Sequence, residues 1–424
     1  MTETLNIDCD LVIIGAGMAG MAASLFAGNR NIDTVQVGNT SEIIFASGLM
    51  DLMGVHPVGS GIIRKNPWDS IENLCRDVPD HPYAKIPPTI IHDASEELIA
   101  FLNASGLAYV RHEKQNALVL TPAGTVKPTY FVPRTMWNGV RALETKAPCL
   151  IVDIKNLKGF SARQIVASFK SFWPGLDHAT ISFPGPVNQG EVYLEPLARS
   201  LAVPQNRKAL ADELRPYLKN ARFLGMPAVF GIQGAHRILS DIEKLVGIPM
   251  FEIPTMPPSI PGLRLKETFE SNLSAKGIRR FFQKHVLGVQ VKGKEFIVQI
   301  GDKSPETLIK TRGVVLASGR FLGKGLSADR KQIRESIFNL PVHQPDKRSA
   351  WHNYEFLDPA GHPVNRAGLE TDDRFRPLDR SGKAAHEKLF AAGSILAHQD
   401  WIRQKCGSGL AIATAYAAVN AFLD

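Results

Sequence analysis

The stretch Leu11-Val12-Ile13-Ile14-Gly15-Ala16-Gly17-Met18-Ala19-Gly20-Met21-Ala22-Ala23-Ser24-Leu25-Phe26 decides the fold. Four apolar residues run into Gly15-Ala16-Gly17-Met18-Ala19-Gly20, and the apolar positions then take helical spacing at Met18, Met21, Ala22, Leu25 and Phe26. A buried strand, a glycine turn and a helix in that order make GxGxxG a dinucleotide fingerprint rather than a chance pattern. Gly15 permits the tight turn, Gly17 lets backbone approach a pyrophosphate, and Gly20 lets helix and strand pack closely. The helix N-terminus adds free N–H groups and a partial positive charge. Contact with a nucleotide cofactor is therefore expected along Gly15, Ala16, Gly17, Met18, Ala19 and Gly20. The rival account is a plain tight turn between strand and helix.

A second strand is expected at Thr34–Val37. The fingerprint places a ribose-binding acid about 20 residues past the glycines, but the chain reads Val35-Gln36-Val37-Gly38 there. The missing acid counts against an adenosine ribose, and so against FAD or NAD, held in the standard way, and Gln36 is the residue left to bond a hydroxyl. Next comes Phe45-Ala46-Ser47-Gly48-Leu49-Met50-Asp51-Leu52. Its Ser47-Gly48 pair, read as opening a short apolar helix, suits close approach to a flat ring or a phosphate.

The 424 residues suffice for two or three domains. With 44% hydrophobic and 21% charged residues the chain reads as an ordinary globular protein, not a disordered one. No apolar run approaches the roughly 18 residues of a membrane span, and no cleaved signal is expected. Cys9, Cys75, Cys149 and Cys406 are scattered without a CxxC pair. That excludes a cysteine-ligated iron–sulfur cluster or zinc site within this chain, and no metal site is expected. Free thiols fit a reducing cytoplasm. The net charge of +8 suits a basic solvated surface, an anionic substrate, an acidic partner or an anionic membrane face alike.

Farther along, helices are expected at Ala94–Leu102, Ala162–Phe172 and Ile238–Val246, a hairpin at Ala117–Lys127, and a strand at Leu150–Ile154. Five prolines between Pro249 and Pro261 require extended or turning backbone. Residues Ile309–Ser318 form an apolar strand running into Ala317-Ser318-Gly319, a small-residue turn that admits a cofactor. Residues 341–384 are polar and loop-like. A short strand at Leu389-Phe390-Ala391 stops at Ala392-Gly393-Ser394, and Lys405-Cys406-Gly407-Ser408-Gly409 opens a last helix with Ile412, Ala415, Tyr416, Val419 and Leu423 on its apolar face. Lys405 and Ser408 stand on either side of Cys406-Gly407 where more glycine is expected, and Lys324 sits in the late glycine turn. Such junctions at both ends of the chain imply one nucleotide domain split by an insertion. The expected cofactor contacts therefore include Gln36, Ser47, Gly48, Ser318, Gly319, Gly393, Ser394, Cys406, Gly407 and Gly409.

GAGMAG, VVLASG and FAAGS in this order resemble the glutathione-reductase-type flavoproteins. Within that superfamily FASGLMDL, PPSIPGLRL, VLASGRFLGKGL, LFAAGSIL and KCGSGLAIATAYAA resemble the B subunit of anaerobic glycerol-3-phosphate dehydrogenase over about residues 10–420. The resemblance implies an α/β fold in which a Rossmann-like FAD/NAD(P)-binding domain is split by an inserted α/β cap or substrate domain. The bounds read from the chain are 1–90, 256–340 and 385–424 for the flavin domain, 91–255 for the insertion and 341–384 for a loop segment near the substrate cavity. It also implies a flavin, FMN by family and FAD by the dinucleotide-type loop, and oxidation of sn-glycerol 3-phosphate to dihydroxyacetone phosphate. Electrons would leave for a quinone through a membrane-associated iron–sulfur subunit, with a sister catalytic flavoprotein subunit alongside and this chain cytoplasmic and peripheral at the membrane.

Hydride transfer from an alcohol needs a base for the hydroxyl proton and cations for the phosphate. Arg374 and Arg376, just before the last short strand, are candidates because the guanidinium fork matches two phosphate oxygens; the bland alternative is ion pairing with Asp372 and Asp373. His56 is the first-ranked base candidate, ahead of His352 and His398, with a structural histidine as the alternative. Cys406 is either a thiol of lowered pKa or a small residue packed near the ring. Three function classes follow: the dehydrogenase, a flavin-holding relay subunit whose partner oxidises the alcohol, and an RNA-acting flavoprotein suggested by charge alone.

Overall fold

The computed structural model describes residues 5–38, 40–184 and 190–424, side chains at 40–42 excepted. The chain opens with strand β1 (Leu5–Ile14), helix α1 (Met18–Asn29) and strand β2 (Thr34–Gly38). It continues through β3 (Cys149–Ile154), β4 (Leu176–Ile181), β5 (Phe223–Pro227), helix α2 (Ala235–Val246) and β6 (Met250–Ile253). It returns in β7 (Arg279–Phe282), β8 (His285–Lys292), β9 (Glu295–Gly301), β10 (Pro305–Leu316) and β11 (Leu389–Ala391), and ends in helix α3 (Gly407–Leu423).

Two compact units result. The first comprises residues 1–43, 51–100 and 269–424, the second residues 44–50 and 101–268. The joints therefore fall at positions other than 91 and 255. Helix formation explains the shift, because the chain passes each late joint within one continuous helix, Pro88–Ala104 and Ile260–Leu273. Pro261 sits in the first turn of the latter, where a missing N–H costs nothing, so the proline cluster ends in a helix and not only in extended backbone.

In the first unit the strands run β7-β2-β1-β10-β9-β8, with β11 also paired to β10. The β1–β10, β1–β2, β2–β7 and β10–β11 pairs are parallel, whereas β8, β9 and β10 form an antiparallel meander. Leu11 to Ile13 are fully buried in β1, as are Val314 to Leu316 in β10, as expected of strands covered on both faces. Helices α1 and α3 pack together, with Phe26 edge-on to Tyr416 at 5.0 Å and Arg30 Nε donating to Asn420 at 2.8 Å.

The second unit carries the parallel sheet β6-β5-β3-β4. Its core includes Arg264 and Glu252, paired through Nη1 to Oε2 at 2.6 Å and Nη2 to Oε1 at 2.7 Å. Burial pushes the Glu252 carboxyl up, but the Arg264 charge and its hydrogen bonds outweigh that and hold it ionised. Residues 49–52 are not helical. Gly48 takes φ +79, and Met50 exchanges backbone hydrogen bonds with Phe131 at 3.1 and 2.9 Å, which commits that stretch to a bridge.

Candidate functional site

The first unit gathers glycine junctions from both ends of the chain. Gly15 stands at φ +129, and a Cβ there would lie 2.1 Å from Ala317 O. Only glycine therefore lets the end of β1 pass the end of β10. Gly15 N donates to Val37 O at 2.8 Å and Ala317 N to Ile14 O at 2.8 Å, fixing the turn from both sides. Gly20 is equally constrained, since a Cβ would meet Gly15 O at 2.1 Å. Ala16, Ala19 and Gly20 are buried, whereas Gly15, Gly17 and Met18 are partly open. Helix α1 has no side-chain cap and no acid in its first turn, so its first N–H groups and positive end are available to an anion.

The other junctions close on the same turn. Gly393, at φ +80, donates its N–H to Thr414 Oγ1 of α3 at 2.8 Å. A Cβ on Gly393 would lie 2.6 Å from the Ala19 side chain. Ser318 is buried just past β10, and its hydroxyl has no protein partner. An orphaned buried hydroxyl beside an uncapped helix and glycine-lined backbone is the arrangement a nucleotide would complete. These residues fit a flavin nucleotide.

Arg320 ties the rim of this region. Its Nε donates to Ser394 O at 2.7 Å, Nη2 to Leu396 O and Gln399 O at 3.2 and 3.0 Å, and Nη1 to Asn365 O. Burial lowers this guanidinium to about 10, still protonated at neutral pH.

Helix α3 begins as expected. Ser408 Oγ accepts from Asp51 N at 2.8 Å and donates to Asp51 Oδ1 at 3.0 Å, while Gly409 N donates to Asp51 O at 2.7 Å. Gly409 lies under Tyr83, whose hydroxyl would be 2.6 Å from an added Cβ, and Gly407 under Trp401, at 2.8 Å. Cys406 is fully buried, with Sγ 3.7 Å from Gln404 Oε1. Packing explains it better than reactivity does.

Several expected residues are held by protein partners. Gln36 is fully buried and its amide nitrogen donates to Gly15 O at 3.1 Å, bracing the glycine turn. Ser47 and Gly48 pack within the second unit, where Tyr109 Oη donates to Gly48 O at 2.8 Å and an added Cβ on Gly48 would lie 2.8 Å from Pro261. Arg376 is held by Asp372, with Nε and Nη2 each 2.7 Å from Oδ2. Arg374 Nη2 donates to Ala421 O at 3.1 Å, at the C-terminal end of α3. The Gly393 N–H meets that 17-residue helix at Thr414, seven residues before Ala421, about 10 Å along the axis at about 1.5 Å per residue. Arg376 is thus paired with Asp372, and Arg374 sits at the C-terminal end of that helix. His56 Nε2 lies 2.8 Å from Asp77 Oδ2. His352 packs edge-on to His362 at 5.3 Å.

His81 was not among the sequence candidates. It is completely buried, with Nε2 3.4 Å from Gln404 Oε1 and Nδ1 accepting from Tyr83 N at 3.2 Å. Burial above all lowers its pKa to about 3, helped by the charges of His56, His398 and Arg366. Nothing in His81-Pro82-Tyr83 announces this, because the side-chain partner Gln404 lies over three hundred positions away. In the second unit a depression is lined by Gly48, Tyr109, Arg134, Thr135, His236 and Arg264.

The chain matches the FAD binding domain family over residues 10–410. A Halobacterium salinarum protein, named a probable B subunit of anaerobic glycerol-3-phosphate dehydrogenase, is 32% identical, with 98% of each chain covered. The anaerobic glycerol-3-phosphate dehydrogenase B subunit of Vibrio vulnificus is 28% identical over 98% of this chain and 96% of its own. Among solved structures, 3-ketosteroid delta1-dehydrogenase from Sterolibacterium denitrificans aligns with a TM-score of 0.44 at 10% identity, covering 98% of this chain and 99% of that one. No helix among the described residues is long and apolar enough to cross a membrane.

Proposed function

We infer the activity from one premise: this chain belongs to the FAD binding domain family and, within it, to the B subunits of anaerobic glycerol-3-phosphate dehydrogenase. On that premise it is a flavin-dependent oxidoreductase subunit that takes part in oxidising sn-glycerol 3-phosphate to dihydroxyacetone phosphate. It works beside a sister flavoprotein subunit and an iron–sulfur subunit that passes electrons to a membrane quinone. The carrying observation is the convergence of Gly15, Ser318 and Gly393 from both ends of the chain on one turn.

FAD is the flavin this cradle favours, because the uncapped α1 N-terminus and the GxGxxG turn suit a pyrophosphate, a group that FMN lacks. Gly15, Ala16, Gly17, Met18, Ala19 and Gly20 would hold it, with Ser318 and Gly319 below and Gly393 and Ser394 alongside. A bound flavin supplies the two-electron acceptor for alcohol oxidation. The protein's part is to bind and orient it, and the backbone N–H groups and positive end of α3 favour negative charge nearby.

A second reading has one observation in its favour. Arg374 and Arg376, the expected phosphate ligands, are engaged by Ala421 O and Asp372, which suits a subunit that relays electrons while its sister oxidises the alcohol. The purified, flavin-loaded chain separates the two. Bleaching of flavin absorbance by sn-glycerol 3-phosphate in the chain alone supports oxidation here; bleaching only after the sister subunit is added supports relay. Mass identification of the extracted cofactor decides FAD against FMN.

A further inference from the structure

Three side chains from separate stretches of the first unit converge: His343, Glu370 and His398. We propose that they form a binding site for one divalent transition-metal ion of the zinc type. Glu370 Oε1 lies 3.5 Å from His343 Nδ1 and 3.0 Å from His398 Nε2. The three donor atoms all lie within 4.8 Å of one another. A tetrahedral ion with bonds of about 2.0–2.2 Å needs ligands roughly 3.3–3.5 Å apart. Small side-chain rotations bring the trio to that spacing.

The donor set selects the class of ion. Two imidazoles and one carboxylate suit Zn²⁺, Co²⁺, Ni²⁺ or Fe²⁺, whereas Ca²⁺ and Mg²⁺ favour all-oxygen shells. Three protein ligands also leave a fourth position for water or a small molecule. The side chains of His343 and Glu370 are 41% and 50% exposed and that of His398 19%, so an ion can enter. The other charges nearby are Asp80, which acts on His343, and Lys85, whose ammonium donates to Thr371 beside Glu370.

Backbone pairing fixes the three residues in place. His343 and Gly368 exchange hydrogen bonds of 2.8 and 3.1 Å, Leu369 N donates to Ile395 O at 2.8 Å, and Ala397 N donates to Leu369 O at 2.9 Å. Gly368 permits this contact, since a Cβ there would lie 2.4 Å from Ile395 O. His398 is set at φ +63 with its N–H on Arg366 O at 3.0 Å, and its ring centroid lies 4.2 Å from that of His343. Sequence spacing carries no metal signature because the ligands come from three stretches joined only by strand pairing.

The competing account is two histidines sharing one carboxylate without an ion. Titrating the metal-stripped full chain with Co²⁺ distinguishes them. The expected result is visible ligand-field absorption saturating at one equivalent and displaced by Zn²⁺. His343→Ala, His398→Ala and Glu370→Gln should each weaken binding by about tenfold or more, since even the outer partners of a metal site are worth that much. Glu370→Asp, which keeps the carboxylate, should retain saturable binding with an altered spectrum. Absence of saturable uptake by the parent chain, or equal affinity in the parent and all three ligand variants, would overturn the proposal. A preference for Mg²⁺ over Co²⁺ would overturn it as well.

Discussion

Replacing Gly15 with alanine tests the central contact of the fold. At φ +129 the residue occupies backbone space essentially reserved for glycine, and forcing another residue there costs about 1–3 kcal/mol. The new methyl would also lie 2.1 Å from Ala317 O and 2.6 Å from Ala317 C. Both are backbone atoms that no rotamer can move, and the hydrogen bonds from Gly15 to Val37 and from Ala317 to Ile14 pin the turn. Relief requires β1 to part from β10, an overpacking cost of about 1–3 kcal/mol more. The sum, roughly 2–6 kcal/mol, is a large share of a typical total stability of about 5–15 kcal/mol. Gly17→Ala is the matched control. At φ −79 and ψ −171 it has a conformation open to any residue, so only the poorer N-cap propensity of alanine is at stake, about 1 kcal/mol or less. Its methyl nevertheless intrudes where the pyrophosphate is proposed to lie. Urea unfolding of the apoproteins and flavin retained through gel filtration are the two readouts. Gly15→Ala should lose both stability and flavin, Gly17→Ala chiefly flavin. An unchanged urea midpoint for Gly15→Ala would refute the close approach. Full flavin retention by Gly17→Ala would refute the placement of the phosphates.

His81 is lowered to about 3 by burial, so between that value and its unfolded value near 6.5 the unfolded chain binds the extra proton. Stability should be full above pH ~6.5 and fall by up to about 1.4 kcal/mol per unit below it; His81→Asn, which keeps a capping acceptor for Tyr83 N, should flatten that limb in pH-dependent urea titrations. Arg376→Ala removes a half-buried pair with Asp372 and should cost about 1 kcal/mol or less, and both it and Arg374→Ala should leave the substrate KM of the assembled complex within about twofold. A tenfold rise in KM for either would return that arginine to the substrate. Lys324 occupies a glycine-like φ of +60, so Lys324→Gly should raise the thermal midpoint by relieving roughly 1 kcal/mol of backbone strain; a lower midpoint would contradict that.

Lysines 324 and 405 show how far a motif reaches. Lys324 sits in a glycine turn and Lys405 stands where more glycine is expected, and both hold positive φ, +60 and +53, so the backbone course survives without the residue that usually marks it. Local pattern alone fixed the glycine turn and α1, the strands β1, β2 and β10 and the final helix. Each depends on periodicity and turn chemistry within a few residues. The inward turn of Gln36 under Gly15, the bridge that replaces a helix after Gly48, the joints within long helices, the engagement of Arg374 and Arg376, the burial of His81 and the meeting of His343, Glu370 and His398 were decided by tertiary structure. Each depends on which distant segment arrives beside a residue, and a side chain's partners, exposure and charge follow from that arrival and not from its neighbours along the chain.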